Sequence, residues 1–148
     1  MEIFRHKTAI KRYQYSTPIK WLWKFGYLDT NSDHSIFDYG CGQGDDLDLM
    51  KESGVRAEGW DPYFQPDNRQ VNSDIVNLGF VLNVIEDKNE RIETLKKAYD
   101  LCNKILVVSV MIGDTSSEEK YTHYKDGIVT SRNTFQKYYS QKSFKEFI

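Results

Sequence analysis

The stretch Ile36-Phe37-Asp38-Tyr39-Gly40-Cys41-Gly42-Gln43-Gly44-Asp45-Asp46 decides the fold. An apolar run meets an acid, and three glycines follow at alternate positions. A chain that leaves a strand and turns sharply into a helix needs residues that tolerate positive φ, which glycine does at no steric cost. The absent Cβ also lets such a turn approach a ligand. In a dinucleotide fold the spacing is G-x-G-x-x-G, and the helix that follows holds a pyrophosphate. Here the spacing is G-x-G-x-G, and Asp45, Asp46 and Asp48 open the helix. Acids suit a helix N-terminus that carries no anion, and they would repel a pyrophosphate. The pattern therefore favours a nucleoside cofactor bearing a sulfonium and an amino group, S-adenosylmethionine, over a dinucleotide. A glycine turn with helix-capping acids and no ligand is the plainer alternative.

Asp61 lies 21 positions beyond Gly40, at the end of Val55-Arg56-Ala57-Glu58-Gly59-Trp60-Asp61. An acid at the tip of a second strand, about 20 residues after a glycine loop, is placed to accept hydrogen bonds from ribose hydroxyls. The alternative is an Asp-Pro turn closing the strand, formed with Pro62.

Outward from these motifs the chain reads as alternating strands and helices. Thr17-Pro18 starts a helix whose apolar face is Ile19, Leu22, Trp23 and Phe25, stopped at Gly26. Strands are expected at 35–39, 56–60, 74–79 and 104–112. Helices are expected at 45–52, as a short piece after Phe80, and at 90–103 behind an Asn89 cap. Residues 62–73 are turn-rich and 113–124 polar. In the tail, 127–130 reads as a short strand, and 134–139 and 143–148 as helices. Such alternation means an α/β fold, a mostly parallel Rossmann-like sheet with helices on both faces. Ligands bind such sheets at the carboxyl ends of the strands, where the glycine loop and Asp61 sit.

Composition narrows the class. The 148 residues suffice for one domain with a sizeable core. The longest apolar run, 105–112 broken by Ser109, is too short to span a bilayer, and the first residues carry no secretory pattern. Cys41 and Cys102 make no disulfide framework, and the cytoplasm is the expected compartment. His6, His34 and His123 are scattered away from cysteine, so no metal site is expected. Charge is uneven: residues 1–30 carry a net +4, residues 31–103 a net −8, and residues 104–148 a net +2. A basic N-terminal arm and helix over 1–30 thus precedes an acidic body over 31–148. The arm could bind nucleic acid, or fold back on that body. In the second case Lys7 and Arg12 could reach a cofactor carboxylate.

Together, Asp38-x-Gly40-x-Gly42-x-Gly44, Gly59-Trp60-Asp61-Pro62, and Asp74 to Gly79 with Val81 to Asp87 resemble the class I S-adenosylmethionine-dependent methyltransferases. More narrowly, Arg5-His6-Lys7-Thr8-Ala9-Ile10 and Thr130 to Tyr138 are similar to the methyltransferases associated with DNA phosphorothioation. The resemblance implies that Gly40, Cys41 and Gly42, after Asp38, approach the methionine part of the cofactor. It implies that Asp61 holds the ribose, that Pro62 flanks the adenine, and that Asn77, Leu78 and Gly79 line the pocket near the sulfonium. Two departures stand out. Only 12 residues separate Asp61 from Asp74, too few for the helix and strand the general fold has there, so the adenine side is trimmed. The strand pair that ends the general fold is also missing, which reads as a fold shortened after its fifth strand position and as the front part of a longer protein. Its sheet edge would then need cover from a partner or from further chain.

The acceptor is not legible. Methyl transfer to an activated cofactor needs positioning, exclusion of water and sometimes a base, but no signature nucleophile. Asn77-Leu78-Gly79-Phe80 stands where exocyclic-amine methylases carry a proline-containing motif, but lacks the prolines. Cys41 and Cys102 do not read as nucleophiles. Asn83 and Glu86 are the candidates to face a substrate, with helix capping as their alternative. The expected function is an S-adenosylmethionine-dependent methyltransferase of unassigned acceptor. The competing reading is a non-catalytic module of the same fold that binds DNA or a protein partner.

Overall fold

The computed structural model describes residues 2–31, 33–113 and 122–148. Its centre is a sheet of four parallel strands, β1 (Ile36–Tyr39), β2 (Ala57–Trp60), β3 (Ser73–Gly79) and β4 (Cys102–Ser109), in the order β2-β1-β3-β4. The helices are α1 (Thr17–Lys24), α2 (Asp45–Glu52), α3 (Lys88–Leu101) and α4 (Gln141–Phe147), with 3-10 turns at Arg5–Thr8 and Leu82–Val84. The α/β, Rossmann-like expectation holds.

Side chains alternate across a strand, and that alternation builds two cores. Ile36 and Ile75 face one side, where they pack with Ile19 and Leu22 of α1 and Leu47 and Met50 of α2. Phe37, Tyr39, Val76 and Leu78 face the other, with Ala98 and Leu95 of α3 and Phe144 and Phe147 of α4. Helices therefore cover both faces. The same parity puts Asp38 and Asn77, register partners on adjacent strands, on the α1/α2 side at the carboxyl end of the sheet. The trimmed connection is also seen: between β2 and β3 there is neither helix nor further strand.

A second, antiparallel sheet follows, β5 (Thr122–Tyr124), β6 (Gly127–Val129) and β7 (Phe135–Gln136), in that order. Residues 134–139 were expected to be helical and are not. Asn133 takes a left-handed conformation (φ 58°), and the Thr130 and Thr134 hydroxyls meet at 2.6 Å, which closes a turn and sends Phe135 back along β6. Burial of Phe135 and Tyr139 outweighs the helical propensity of the segment. Tyr139 then bridges Ile112 in parallel, so the chain's own tail takes up the edge just beyond β4. Of the polar stretch read at 113–124, residues 114–121 lie outside the described residues.

The helix read from Asn89 is capped by Asp87 instead, whose carboxylate accepts the Glu90 amide at 3.0 Å. It ends at Leu101 and passes straight into β4. No helix among the described residues is long and apolar enough to cross a membrane.

Arg91 of α3 joins the two sheets. It is fully buried and donates to Ile85 O at 2.7 Å and to both oxygens of Asp126 at 2.5 and 2.7 Å, with its guanidinium 5.4 Å from the Phe135 ring. Bidentate pairs of this kind are strong and directional. Removing the buried guanidinium leaves Ile85 O without its donor and Asp126 with the longer Lys137 contact at 3.7 Å, so Arg91→Ala should lower unfolding free energy by about 3 kcal/mol in urea denaturation. Asp126→Asn, at a position 41% exposed, should cost less. Equal stability of Arg91→Ala and wild type would refute this linking role.

Candidate functional site

A cavity of about 780 Å³ opens at the carboxyl ends of β1 and β3. That is within the usual range for small-molecule sites, roughly 300–1,000 Å³. Asp38, Gly40, Cys41, Gly42, Asp61, Pro62, Asn77, Gly79, Asn83 and Glu86 all line it. Leu78 does not: the alternation of β3 turns its side chain into the opposite core, where it is fully buried.

The glycine loop is shaped from within the chain. Gly40 has φ 85°, and a Cβ there would sit 2.5 Å from Val81 Cγ2, so the turn after β3 fits against a bare backbone. Its amide and that of Cys41 both donate to Trp60 O, at 2.8 and 3.0 Å, which ties the loop to the end of β2.

Asp61 completes the tie. One carboxylate oxygen accepts the Gly42 amide at 2.9 Å, and the other accepts the amides of Tyr63 and Phe64 at 2.9 and 3.0 Å. The two readings of this residue thus coincide in one side chain, which caps its own turn and faces the cavity. A carboxylate offers about four acceptor positions, and three are taken, which leaves room for a hydroxyl.

Asp38 is buried and, among the described residues, receives a single side-chain donor, Asn77 Nδ2 at 3.1 Å. Burial, with Asp46 and Asp61 nearby, pushes its carboxyl up to about 7, against the opposing effects of Asn77 and Arg12. Asn77 Oδ1 and Asn83 Oδ1 are buried without a hydrogen-bond partner among the described residues. Burial and the neighbouring Asp38 and Asp61 push the Cys41 thiol up to about 12, so it is no thiolate nucleophile at neutral pH.

The basic arm folds across the opening. Arg5 donates to Glu90 at 2.7 Å and to Glu86 at 3.0 Å. Lys11 Nζ and the Arg12 amide both donate to Asp45 at 2.6 Å, and the Ser16 amide and hydroxyl donate to Asp46 at 2.8 and 2.6 Å. Burial alone would raise the Asp45 carboxyl, but Lys11 and Arg12 hold it below the usual range. His6 stacks on Tyr63 with ring centroids 3.9 Å apart and planes 9° from parallel. Arg12 lines the cavity, whereas the Lys7 ammonium lies 4.3 Å over the Phe4 ring. Of the two alternatives left open for the arm, folding back on the acidic body is the one seen, with Arg12 but not Lys7 in the cavity wall. The signal was present in the charge asymmetry, since a +4 arm beside a −8 body has an electrostatic reason to close.

No group of three or more His, Cys, Asp or Glu among the described residues is arranged to hold a metal ion. A search among curated proteins finds no match. The family model described as a methyltransferase domain matches residues 10–147, and so takes in the glycine loop, Asp61, both sheets and α4. With a parallel sheet, a glycine-lined cavity at its carboxyl edge and a family match over nearly the whole sequence, the chain belongs to the methyltransferase domain family.

Proposed function

We propose that the chain binds S-adenosylmethionine in this cavity and transfers its methyl group to an acceptor related to nucleic acid, in a process linked to DNA phosphorothioation. The observation that carries the cofactor reading is the carboxylate of Asp38, a buried residue in the cavity lining with one side-chain donor among the described residues. Such a group calls for a donor-bearing, positively charged partner. The cofactor supplies an amino group and a sulfonium-activated methyl. Asp38 would hold the amino group, Asp61 a ribose hydroxyl, and Arg12 the carboxylate. Pro62, Tyr63 and His6 stand on the adenine side. The chain's own work is to bind, orient and exclude water.

The narrower link is supported by where its two resembling segments meet. Residues 5–10 and 130–138 are far apart in sequence, yet the Phe4 amide donates to Asn133 O at 2.7 Å, and Gln136 lines the same cavity as Arg5, His6 and Ala9. The arm's cations carry less weight for DNA contact, because Arg5 and Lys11 are already paired with the body's own acids.

Calorimetry with S-adenosylhomocysteine tests the reading. Binding to the wild type is expected, weakened about tenfold or more in Asp61→Ala, the order of a lost charge-assisted hydrogen bond. No heat and no thermal shift at millimolar ligand would reject the cofactor assignment. Salt-dependent DNA binding without cofactor binding would favour the non-catalytic module.

Asp38 gives a pH signature. Its folded value of about 7 lies above the ordinary carboxylate value near 4. The fold therefore favours the protonated form, and that contribution is full below about pH 4 and is lost as pH rises through about 7. Asp38→Asn should flatten the fall in melting temperature over that window. A cationic ligand group beside Asp38 favours the carboxylate, so S-adenosylhomocysteine should bind more tightly at pH 8 than at pH 6 and release a proton, read as buffer-dependent heat. An affinity that is flat with pH in the wild type would contradict this role.

A further inference from the structure

Helix α1 carries an exposed stripe that runs out from the cavity. Its buried side is Pro18, Ile19 and Leu22. On the other side Thr17, Lys20, Trp21 and Lys24 fall at helical spacings of three and four, and Phe25 continues the row at the C-cap. All five are exposed. At 1.5 Å rise per residue the row is about 12 Å long. Thr17 lines the cavity, and a Cβ on Gly79, at the end of β3, would sit 3.5 Å from Pro18 Cγ. The row therefore starts at the cavity rim and leads away from it.

This row is aromatic and cationic at once. The Trp21 and Phe25 rings stack, with centroids 5.0 Å apart and planes 11° from parallel, yet they remain 48% and 61% exposed. The Lys24 ammonium stands 4.8 Å from the Trp21 ring and 5.9 Å from the Phe25 ring. Neither Lys20 nor Lys24 meets a carboxylate among the described residues, whereas Arg5 and Lys11 are each paired. Lys20 Nζ donates only to Gln14 Oε1 there, at 3.4 Å.

Contiguous exposed aromatic surface marks a contact site. The lysines decide its kind. Lysine is depleted from protein–protein interfaces, whereas a polyanion calls for cations that replace its counterions. The rings decide the form of the polyanion. Every base has a π-face to lay on an aromatic side chain, and that face is open in a single strand. The chain as a whole carries −2, so the attraction is local to this row.

We infer that the face of α1 formed by Lys20, Trp21, Lys24 and Phe25 binds single-stranded nucleic acid, with a base on the paired rings and backbone phosphates on the two lysines. The inference rests on the nucleic-acid part of the proposed function and names the surface that holds such an acceptor. A strand held on this row passes Thr17 at the cavity rim, where a base already out of a duplex stack can enter.

The test uses the whole chain and a fluorescein-labelled oligothymidylate, alone and annealed to oligoadenylate, read by fluorescence anisotropy at low salt. The single strand should bind, and the duplex several-fold more weakly. Trp21→Ala should weaken the single strand about tenfold, the order of one stacked base, and Trp21→Tyr should keep most of the affinity. Phe25→Ala should repeat the loss and covers the case of a poorly folded Trp21 variant. Lys20→Gln with Lys24→Gln should flatten the slope of log affinity against log salt by about 1.4, at roughly 0.7 per phosphate contact. Melting and S-adenosylhomocysteine affinity should stay near wild type in all of these variants. A merely structural stack would instead lower melting in Trp21→Ala and leave the oligonucleotide unaffected. Affinity and salt slope unchanged in the variants, or a duplex bound as tightly as the single strand, overturns the inference alone. No oligonucleotide binding by the wild type overturns it together with the nucleic-acid acceptor, and self-association abolished by Trp21→Ala would then assign the row to a protein contact. Failure of S-adenosylhomocysteine to bind, with the oligonucleotide results as expected, removes the cofactor reading and leaves this surface standing.

Discussion

Four carboxylates, Asp38, Asp45, Asp46 and Asp61, crowd the carboxyl end of β1, and the way each is satisfied arranges everything around them. A buried carboxylate without donors is costly enough that it would take up a proton or reshape its surroundings. Three of the four are well served. Asp61 accepts three backbone amides, Asp45 accepts a lysine and an amide, and Asp46 accepts an amide and a hydroxyl. The fourth, Asp38, has one side-chain donor among the described residues, the Asn77 carboxamide. The poorly served carboxylate is also the most buried of the four.

This division of donors explains the arm. Asp45 and Asp46 open α2, where acids are favoured by the helix dipole, but burying them demands more than that dipole gives. The donors come from Lys11, Arg12 and Ser16, and to deliver them the chain must run across the cavity. Arg5 extends the path to Glu86 and Glu90 on the opposite rim. The hold is polar and shallow: the turn Arg5–Thr8 contains no buried residue. Segments with few buried apolar contacts occupy the low end of local stability. The wall made by the arm thus rests on polar contacts, where the wall made by β1 and β3 rests on buried apolar ones.

Much of this was legible in the sequence, and the exceptions have physical reasons. The four parallel strands and α2 follow from apolar runs and the glycine loop, whose requirements are local. The cap of α3 was misplaced by two residues because Asp87 and Asn89 are both good caps, and only the Asp87–Glu90 bond separates them. The stretch at 134–139 failed because its fate depends on Asn133 and on Thr130 meeting Thr134, a contact that propensity does not contain. Leu78 was grouped with Asn77 and Gly79 because the three are consecutive, yet a strand presents only alternate residues to one face. The cavity wall at residues 3–12 carries no motif. Its placement is a matter of long-range charge matching, visible in the segment charges but not in any spacing.

The two ends of the cavity differ in how much a sequence can say about them. The glycine-loop end is built from backbone amides and from an acid at a fixed strand tip, and such geometry leaves a spacing in the chain. The other end is built from Phe80, Val81, Asn83, Val84 and Met111, ordinary residues whose arrangement depends on a tight turn after β3. Methyl transfer in general asks only that an acceptor be held in line with an already activated methyl donor. Chemistry that needs no nucleophile or metal from the protein leaves no reactive residue to recognise. What remains is the inventory of buried atoms without a partner among the described residues, which on the cavity-lining residues includes Arg5 Nε, Asn77 Oδ1 and Asn83 Oδ1.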